Sequence, residues 1–373
     1  MLKSYKRKLS ILYTESSLNI GGQEIQSLTQ MDALKKNGHK VLLACRHESK
    51  IGQEAKKHGI DVKYIPFRNS IHPKSIYLMV NLVREFNPNI VICHSGHDSN
   101  ISGITKKILT NKKYMLIRQK TYVTKKIKTL SINFFCDAVI VPSLSIKQKL
   151  EISGCTRKIQ VMSPGFDFDD IYHKSTFQLP LVLNSWLSQC NDIPVILQVG
   201  MLRPEKGHYF MLKVLYELKI KGIKFHWLIA GSGKQCEKEF LIKEINRLKM
   251  GNEVLLAGNV NPVYPLYKIA NLCVMPSQYE SFGMAIIEAS AFAVPVFAND
   301  AGGMSEIINH GKTGTLLTVN DINQWVLALI DFFNQPSKYN LMAKSAQAEV
   351  LNKFSIENIV SAITSHDNIK ELY

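Results

Sequence analysis

The sequence has no Cys-x-x-Cys pair. Its seven cysteines stand dispersed at Cys45, Cys93, Cys136, Cys155, Cys190, Cys236 and Cys273. An odd, scattered set argues against a disulfide framework or a zinc site and for buried thiols in a reducing compartment. No apolar run approaches the roughly 18 residues that cross a bilayer. The basic start (Lys3, Lys6, Arg7, Lys8) is followed only by Leu9 to Tyr13 before Glu15, too short for the apolar core of a secretory signal. A cytoplasmic chain is the expectation. Neither half carries a complete Gly-x-Gly-x-x-Gly after its first strand, which disfavours a dinucleotide-dependent dehydrogenase. Acidic residues are missing between Asp98 and Asp137, a stretch that holds Lys106, Lys107, Lys112, Lys113, Arg118, Lys120, Lys125, Lys126 and Lys128.

What is present has the balance of a soluble globular enzyme, with 46% hydrophobic and 20% charged residues. At 373 residues the chain exceeds what one core usually serves, so two domains are expected. The net charge of +16 is unevenly placed: residues 1–180 hold 29 Lys+Arg against 13 Asp+Glu, and residues 181–373 hold 17 of each. The first half is thus expected to meet something anionic, either a membrane leaflet or an acidic acceptor. In 121–135, Tyr122, Val123, Ile127, Leu130, Ile132, Phe134 and Phe135 interleave with Lys125, Lys126 and Lys128, a mixture suited to the headgroup level of a leaflet. Each engaged basic residue there contributes about 1 kcal/mol. No nucleic-acid reading motif accompanies the charge, so no nucleic-acid partner is expected.

Short apolar segments alternate with helix-length amphipathic ones throughout, the pattern of parallel sheets covered by helices. Strands are predicted at 9–14, 41–45, 62–66, 90–94, 114–118, 138–142 and 159–163, then at 194–199, 225–230, 254–257, 272–276, 295–298 and 314–317. The first predicted helix, 23–36, takes Ile25, Leu28, Met31, Ala33 and Leu34 as its apolar set. The segment 164–192 breaks the rhythm and reads as the connection between domains 1–180 and 181–350. Residues 351–373 form a terminal helix expected to pack back on the first domain. Two doubly wound, Rossmann-like domains follow, with ligands beyond the carboxyl ends of their strands and a facing cleft as the default site.

Three clusters could carry chemistry. In 275–290 a strand ends at Pro276, a polar loop carries Glu280, and a helix begins near Gly283 with Glu288 further along it. The backbone at Phe282, Gly283 and Met284 then offers N–H groups to phosphate oxygens. Carboxylates beside phosphate must serve hydroxyls instead, and Glu288 suits a vicinal diol. After the first strand of the second half stand Gly200, Arg203, Lys206 and Gly207. Two cations there can neutralise a diphosphate whose charge grows as it departs. Gly21 and Gly22 form the third cluster and allow close approach to backbone. His94 and His97, after another strand, are further candidates for the cleft. Asp167 and Asp169 imitate a short metal-binding Asp-x-Asp, yet they fall in the expected linker and no metal site is assigned to them.

Together the clusters resemble the retaining glycosyltransferases of the fourth sequence family, which have the GT-B fold. The resemblance includes Gly231 and Gly233 after a strand, Ala270 to Ser277, the pair Glu280 and Glu288, Gly302, Gly303 and Glu306, then Gly311 and Gly314. It implies a nucleotide-sugar donor on the second domain, a UDP-sugar by default, and a glycan or lipid-linked acceptor on the first. Arg203 and Lys206 would hold the diphosphate and Glu280 the transferred sugar. The backbone at 282–284 would take sugar and phosphate, and Glu288 the ribose. Gly21 and Gly22 would approach the donor from the opposite wall. The resemblance implies no metal cofactor, retention of configuration, and the leaving phosphate as base. It also implies lipopolysaccharide or surface polysaccharide synthesis at the inner face of a membrane. Many relatives carry a histidine where this chain reads Arg118, Gln119 and Lys120, so that contact is missing or differently supplied. A sugar-nucleotide epimerase using the same donor cleft is the alternative.

Overall fold

The computed structural model describes residues 8–122, 127–188 and 192–364. The chain divides into two compact units, 1–166 with 354–373, and 167–353.

The first unit holds a seven-stranded parallel sheet. Its strands are β1 (Ser10–Glu15), β2 (Lys40–Cys45), β3 (Asp61–Tyr64), β4 (Ile90–Cys93), β5 (Met115–Gln119), β6 (Ala138–Val141) and β7 (Lys158–Val161), in the order β3-β2-β1-β4-β5-β6-β7. Successive side chains of a strand point to opposite faces, and the core divides accordingly. Ile11, Tyr13, Ile90 and Ile92 pack into one cluster, Leu12, Val91 and Cys93 into another. Helices α1 (Gly22–Lys36), α2 (Lys50–Lys57), α3 (Pro73–Phe86), α4 (Gly96–Ile108), α5 (Leu130–Phe135) and α6 (Leu144–Ile152) connect the strands.

The second unit starts with α7 (Phe168–Lys174) and α8 (Leu181–Leu187). Its six-stranded parallel sheet comprises β8 (Val195–Val199), β9 (His226–Ala230), β10 (Val254–Gly258), β11 (Leu272–Met275), β12 (Val296–Asn299) and β13 (Thr315–Leu317), in the order β10-β9-β8-β11-β12-β13. The covering helices are α9 (His208–Ile220), α10 (Gln235–Arg247), α11 (Pro265–Ile269), α12 (Met284–Ala291), α13 (Ile322–Asn334) and α14 (Pro336–Lys353). Trp227 and Trp325 are fully buried in the core under α9 and α13. The last described helix, α15 (Ile356–Thr364), returns to the first unit, where Ile356, Ile359, Val360 and Ile363 join the cluster under α1.

Three details depart from the sequence reading. The division falls at Phe166, earlier than residue 180, because the expected linker contains α7 and α8 and these belong to the second unit. Asp167 caps α7 by accepting from the Asp170 N–H at 3.0 Å, a local reason for an acid there. Ile25 of α1 is exposed, while Glu24, Gln26, Ser27 and Gln30 are buried beside Met31 and Leu34. The face that α1 turns inward is half polar.

Candidate functional site

In each sheet the strand order reverses once, between β1 and β4 and between β8 and β11. Loops leaving the carboxyl ends of such strand pairs diverge and leave a crevice for ligands.

In the second unit these loops carry the predicted residues. After β8 the chain runs extended through Arg203, makes one 3-10 turn over Pro204–Lys206, and enters α9 at Gly207. The Gln278 N–H donates to the Glu205 carbonyl at 2.8 Å, fastening this loop to the one after β11. The Lys206 ammonium is ion-paired with Glu280 Oε1, which also accepts from Ser277 Oγ at 3.2 Å. Expected to serve separate groups of one molecule, the two side chains hold each other. The Glu280 backbone is pinned as well: its carbonyl accepts from the Gly303 N–H at 2.9 Å, and a Cβ on Gly302 would collide with that carbonyl. Only glycine fits at 302.

Phe282 is buried, and Gly283 turns the chain with a φ of 115° into α12. At the helix start, N–H groups such as those of Met284 and Ala285 lack an acceptor one turn back. Glu288 lies on the inner side of this helix. It is buried rather than solvated, and the Tyr267 hydroxyl donates to its Oε2 at 2.7 Å. Burial raises the Glu288 pKa, and the Tyr267 hydrogen bond partly opposes the rise. Among the described residues Oε1 takes no hydrogen bond, so one carboxylate oxygen remains for a hydroxyl. His208, at the start of α9, is lowered to about 4 by burial and then by the Lys206 charge, against a hydrogen bond to the Arg203 backbone. It is neutral at physiological pH.

Arg203 stands apart from this group. It is half exposed, lies 3.8 Å from Glu205, and lines a cavity of about 480 Å³ with Tyr209, Lys213, Phe240 and Ile322. Neither Lys206 nor Glu280 borders that cavity.

In the first unit the equivalent edge is a closed hydrogen-bond network. Asp98, fully buried at the third position of α4, accepts from Thr14 Oγ1 (2.9 Å), Ser16 Oγ (3.2 Å) and the backbone N–H groups of His94 and Ser95 (both 2.9 Å). His94 is not open to a crevice. Its Nδ1 lies 3.1 Å from the Thr14 carbonyl, and its Nε2 2.9 Å from Ser27 Oγ and 3.3 Å from Gln119 Oε1. Glu15 accepts from Ser95 Oγ and Gln23 Nε2, each at 2.8 Å. The Gly21 N–H donates to Glu24 Oε2 at 2.8 Å, so a capping carboxylate already takes it, and Gly22 begins α1. His97 meets Ser70 Oγ at 3.1 Å. Sequence reading passed over Glu15, Gln23, Asp98, Tyr267 and Ser277. Ser95 and Asp98 do form a capping box, a pattern visible in sequence.

Further along, the described part of 121–135 includes α5. Lys106 pairs with Asp137, and Lys107 sits 5.0 Å from the centre of the Phe134 ring. Leu130 and Phe134 are exposed. Val123, Lys125 and Lys126 lie outside the described residues. Among those residues no helix is long and apolar enough to cross a membrane, and no cluster of three His, Cys, Asp or Glu could hold a metal ion.

Family models match both units. Residues 20–170 match Glycosyltransferase Family 4, and residues 189–349 match Glycosyl transferases group 1. The chain belongs to the GT-B glycosyltransferases. A glycosyltransferase from Rickettsia africae shares the fold with a TM-score of 0.83 at 23% identity over 98% of both chains. Anabaena HepE, solved with UDP and glucose, gives a TM-score of 0.79 at 19% identity over 95% of this chain and 98% of that one. Among curated proteins, the lipopolysaccharide 1,2-N-acetylglucosaminetransferase of Salmonella typhimurium is 28% identical over 59% of each chain. The matched part thus spans less than two thirds of that relative. Within the GT-B frame, Lys206, Glu280 and Glu288 occupy loops and a helix at the switch point of the second sheet.

Proposed function

We propose that this glycosyltransferase takes a sugar from a nucleotide-sugar donor bound to its second unit and passes it to a glycan or lipid-linked acceptor on its first, with retention of anomeric configuration. The observation that carries the reading is the pairing of Lys206 with Glu280 just ahead of the start of α12, with Glu288 buried further along that helix. A cation and helix N–H groups suit a diphosphate; two carboxylates in the same place suit hydroxyls. The Lys206–Glu280 pair would open as the ammonium turns to phosphate and the carboxylate to the sugar. Arg203 would swing from Glu205 to join Lys206.

In the transfer step the acceptor oxygen bonds to the anomeric carbon and the bond from that carbon to the phosphate oxygen breaks. The proton of the acceptor hydroxyl passes to the departing phosphate. Lys206 stabilises the charge that grows on that group. No metal is given a part in this proposed step. UDP is the working choice of nucleotide, supported by UDP and glucose in HepE. Lipopolysaccharide or surface polysaccharide synthesis is supported by the Salmonella relative. Peripheral contact of the cytoplasmic protein with an anionic leaflet is supported by the positive first half and by exposed Leu130 and Phe134 beside Lys107. No nucleic acid enters this reading.

A panel of nucleotide sugars tested by thermal stabilisation identifies the donor, since a ligand at 100 times its Kd adds about 2.7 kcal/mol. One UDP-sugar should raise the melting temperature, and Lys206→Ala should lower transfer of that sugar about a hundredfold. No stabilisation by any nucleotide sugar, with transfer equal in Lys206→Ala, would sink the reading.

A further inference from the structure

At the carboxyl end of β5 the first unit carries two neighbouring positive residues, Arg118 buried and Lys120 half-buried. Arg118 and Lys120 are two residues apart on extended chain, which turns both to one face of the sheet. The extension continues past the strand, with the Lys120 N–H donating to the Ile140 carbonyl at 2.8 Å. Arg118 is buried, gives one nitrogen to the Ser95 carbonyl, and leaves Nε without a partner. Lys120 is half-buried, and among the described residues its ammonium meets only the Tyr122 ring, 5.9 Å from the centre.

Among the described residues no carboxylate lies within ion-pair distance of either cation. Asp98 and Glu15, the acids of this edge, spend their oxygens on the donors named above, and neither Arg118 nor Lys120 is one of them. Burial, and then the neighbouring Arg118 charge, lowers Lys120 to about 8. Like charges withdrawn from water without a counter-ion are costly, and an anion supplied from outside removes that cost. The place is reachable: Tyr122 is exposed and Lys120 only half covered. The loop is held against the start of α1 by Thr121 Oγ1 donating to Gln23 Oε1 at 2.7 Å.

We infer that Arg118 and Lys120 form an anion subsite of the first unit, which takes a phosphate or carboxylate group carried by the acceptor. This rests on the transferase reading for the word acceptor, while the subsite itself stands on the uncompensated cation pair. The Tyr122 ring offers an apolar face for whatever adjoins the anion, such as the body of a sugar.

The test titrates inorganic phosphate and n-octyl phosphate into the full chain by calorimetry in the presence of saturating UDP. Both should bind, and Lys120→Gln should weaken both about tenfold, the loss of one charge-assisted hydrogen bond. Lys120→Arg should restore binding. UDP affinity should be unchanged in Lys120→Gln and reduced in Lys206→Ala, so failure of the subsite and failure of the donor reading are separable. A preference for octyl phosphate places the anion on a lipid-linked acceptor, and equal affinities place it on a small phosphorylated one; each supports the subsite. Phosphate binding that is unaffected by Lys120→Gln, or that is lost only in Lys206→Ala, would overturn it. A melting temperature of Lys120→Gln equal to or above that of the parent chain, as expected when a charge without a counter-ion is removed, confirms that folding is not the cause.

Discussion

The carboxyl edges of the two sheets solve the same geometrical problem with different materials. In the first unit, buried side chains of strands and helices hold one another: Asp98 alone gathers four donors from β1 and its following loop, from His94 and from Ser95. In the second unit, glycines let backbone segments close on each other, and one ion pair, Lys206–Glu280, spans the gap. A closed network in which each carboxylate is shared among several donors is rigid and expensive to damage. A single ion pair at a crevice can be exchanged for new partners. The first edge therefore reads as scaffold around an uncompensated cation pair, the second as the part that engages and releases a charged molecule.

The largest effect should come from breaking the scaffold. Asp98→Ala strips the acceptor from four donors and should destabilise the protein by about 3–5 kcal/mol, since each buried donor left unsatisfied costs about 1–3 kcal/mol. Chemical denaturation followed by circular dichroism measures it. A loss under about 1 kcal/mol would mean that the donors find other acceptors, and the contrast between the two edges would weaken.

A smaller, pH-dependent effect is expected from His208 in the second unit. Its folded pKa, about 4, lies below the ordinary value of 6.5. The unfolded chain therefore takes up a proton first as pH falls. The stability tied to neutral His208 is intact above 6.5 and is lost as pH drops toward 4, on the order of 3 kcal/mol in full. His208→Gln should flatten that acid limb of a stability–pH profile. An identical limb in the variant would show that His208 is not held neutral by its burial beside Lys206.

The two edges also differed in how readable they were. The parallel sheets followed from alternation of apolar strands and amphipathic helices, because burial on both faces forces continuous apolar runs such as Ile90–Cys93. In the second unit the site was legible because its parts are local in sequence: Gly200 to Gly207 form one loop, and Glu280 to Glu288 one loop and helix. That Lys206 and Glu280 pair with each other was not legible, since 74 residues separate them. In the first unit, Thr14, Gln23, His94, Asp98 and Gln119 are ordinary residues spread over two strands, two helices and the turn after β4. Only the topology β1-β4-β5 brings them together. The polar inner face of α1 likewise has no apolar period to reveal it, and Ile25, expected inside, is displaced outward by Gln26, Ser27 and Gln30. The boundary at 166 was hidden because α7 and α8 look like linker by composition.

The ribose end of the proposed donor depends on Glu288 offering one carboxylate oxygen to a diol while Tyr267 holds the other. Calorimetric titration of UDP into the parent chain and into Glu288→Ala tests this without an acceptor or turnover. Loss of a charged hydrogen-bond partner should weaken UDP binding at least about tenfold, by 1.5–3 kcal/mol, with the fold retained. Equal affinity in the two proteins would contradict the account.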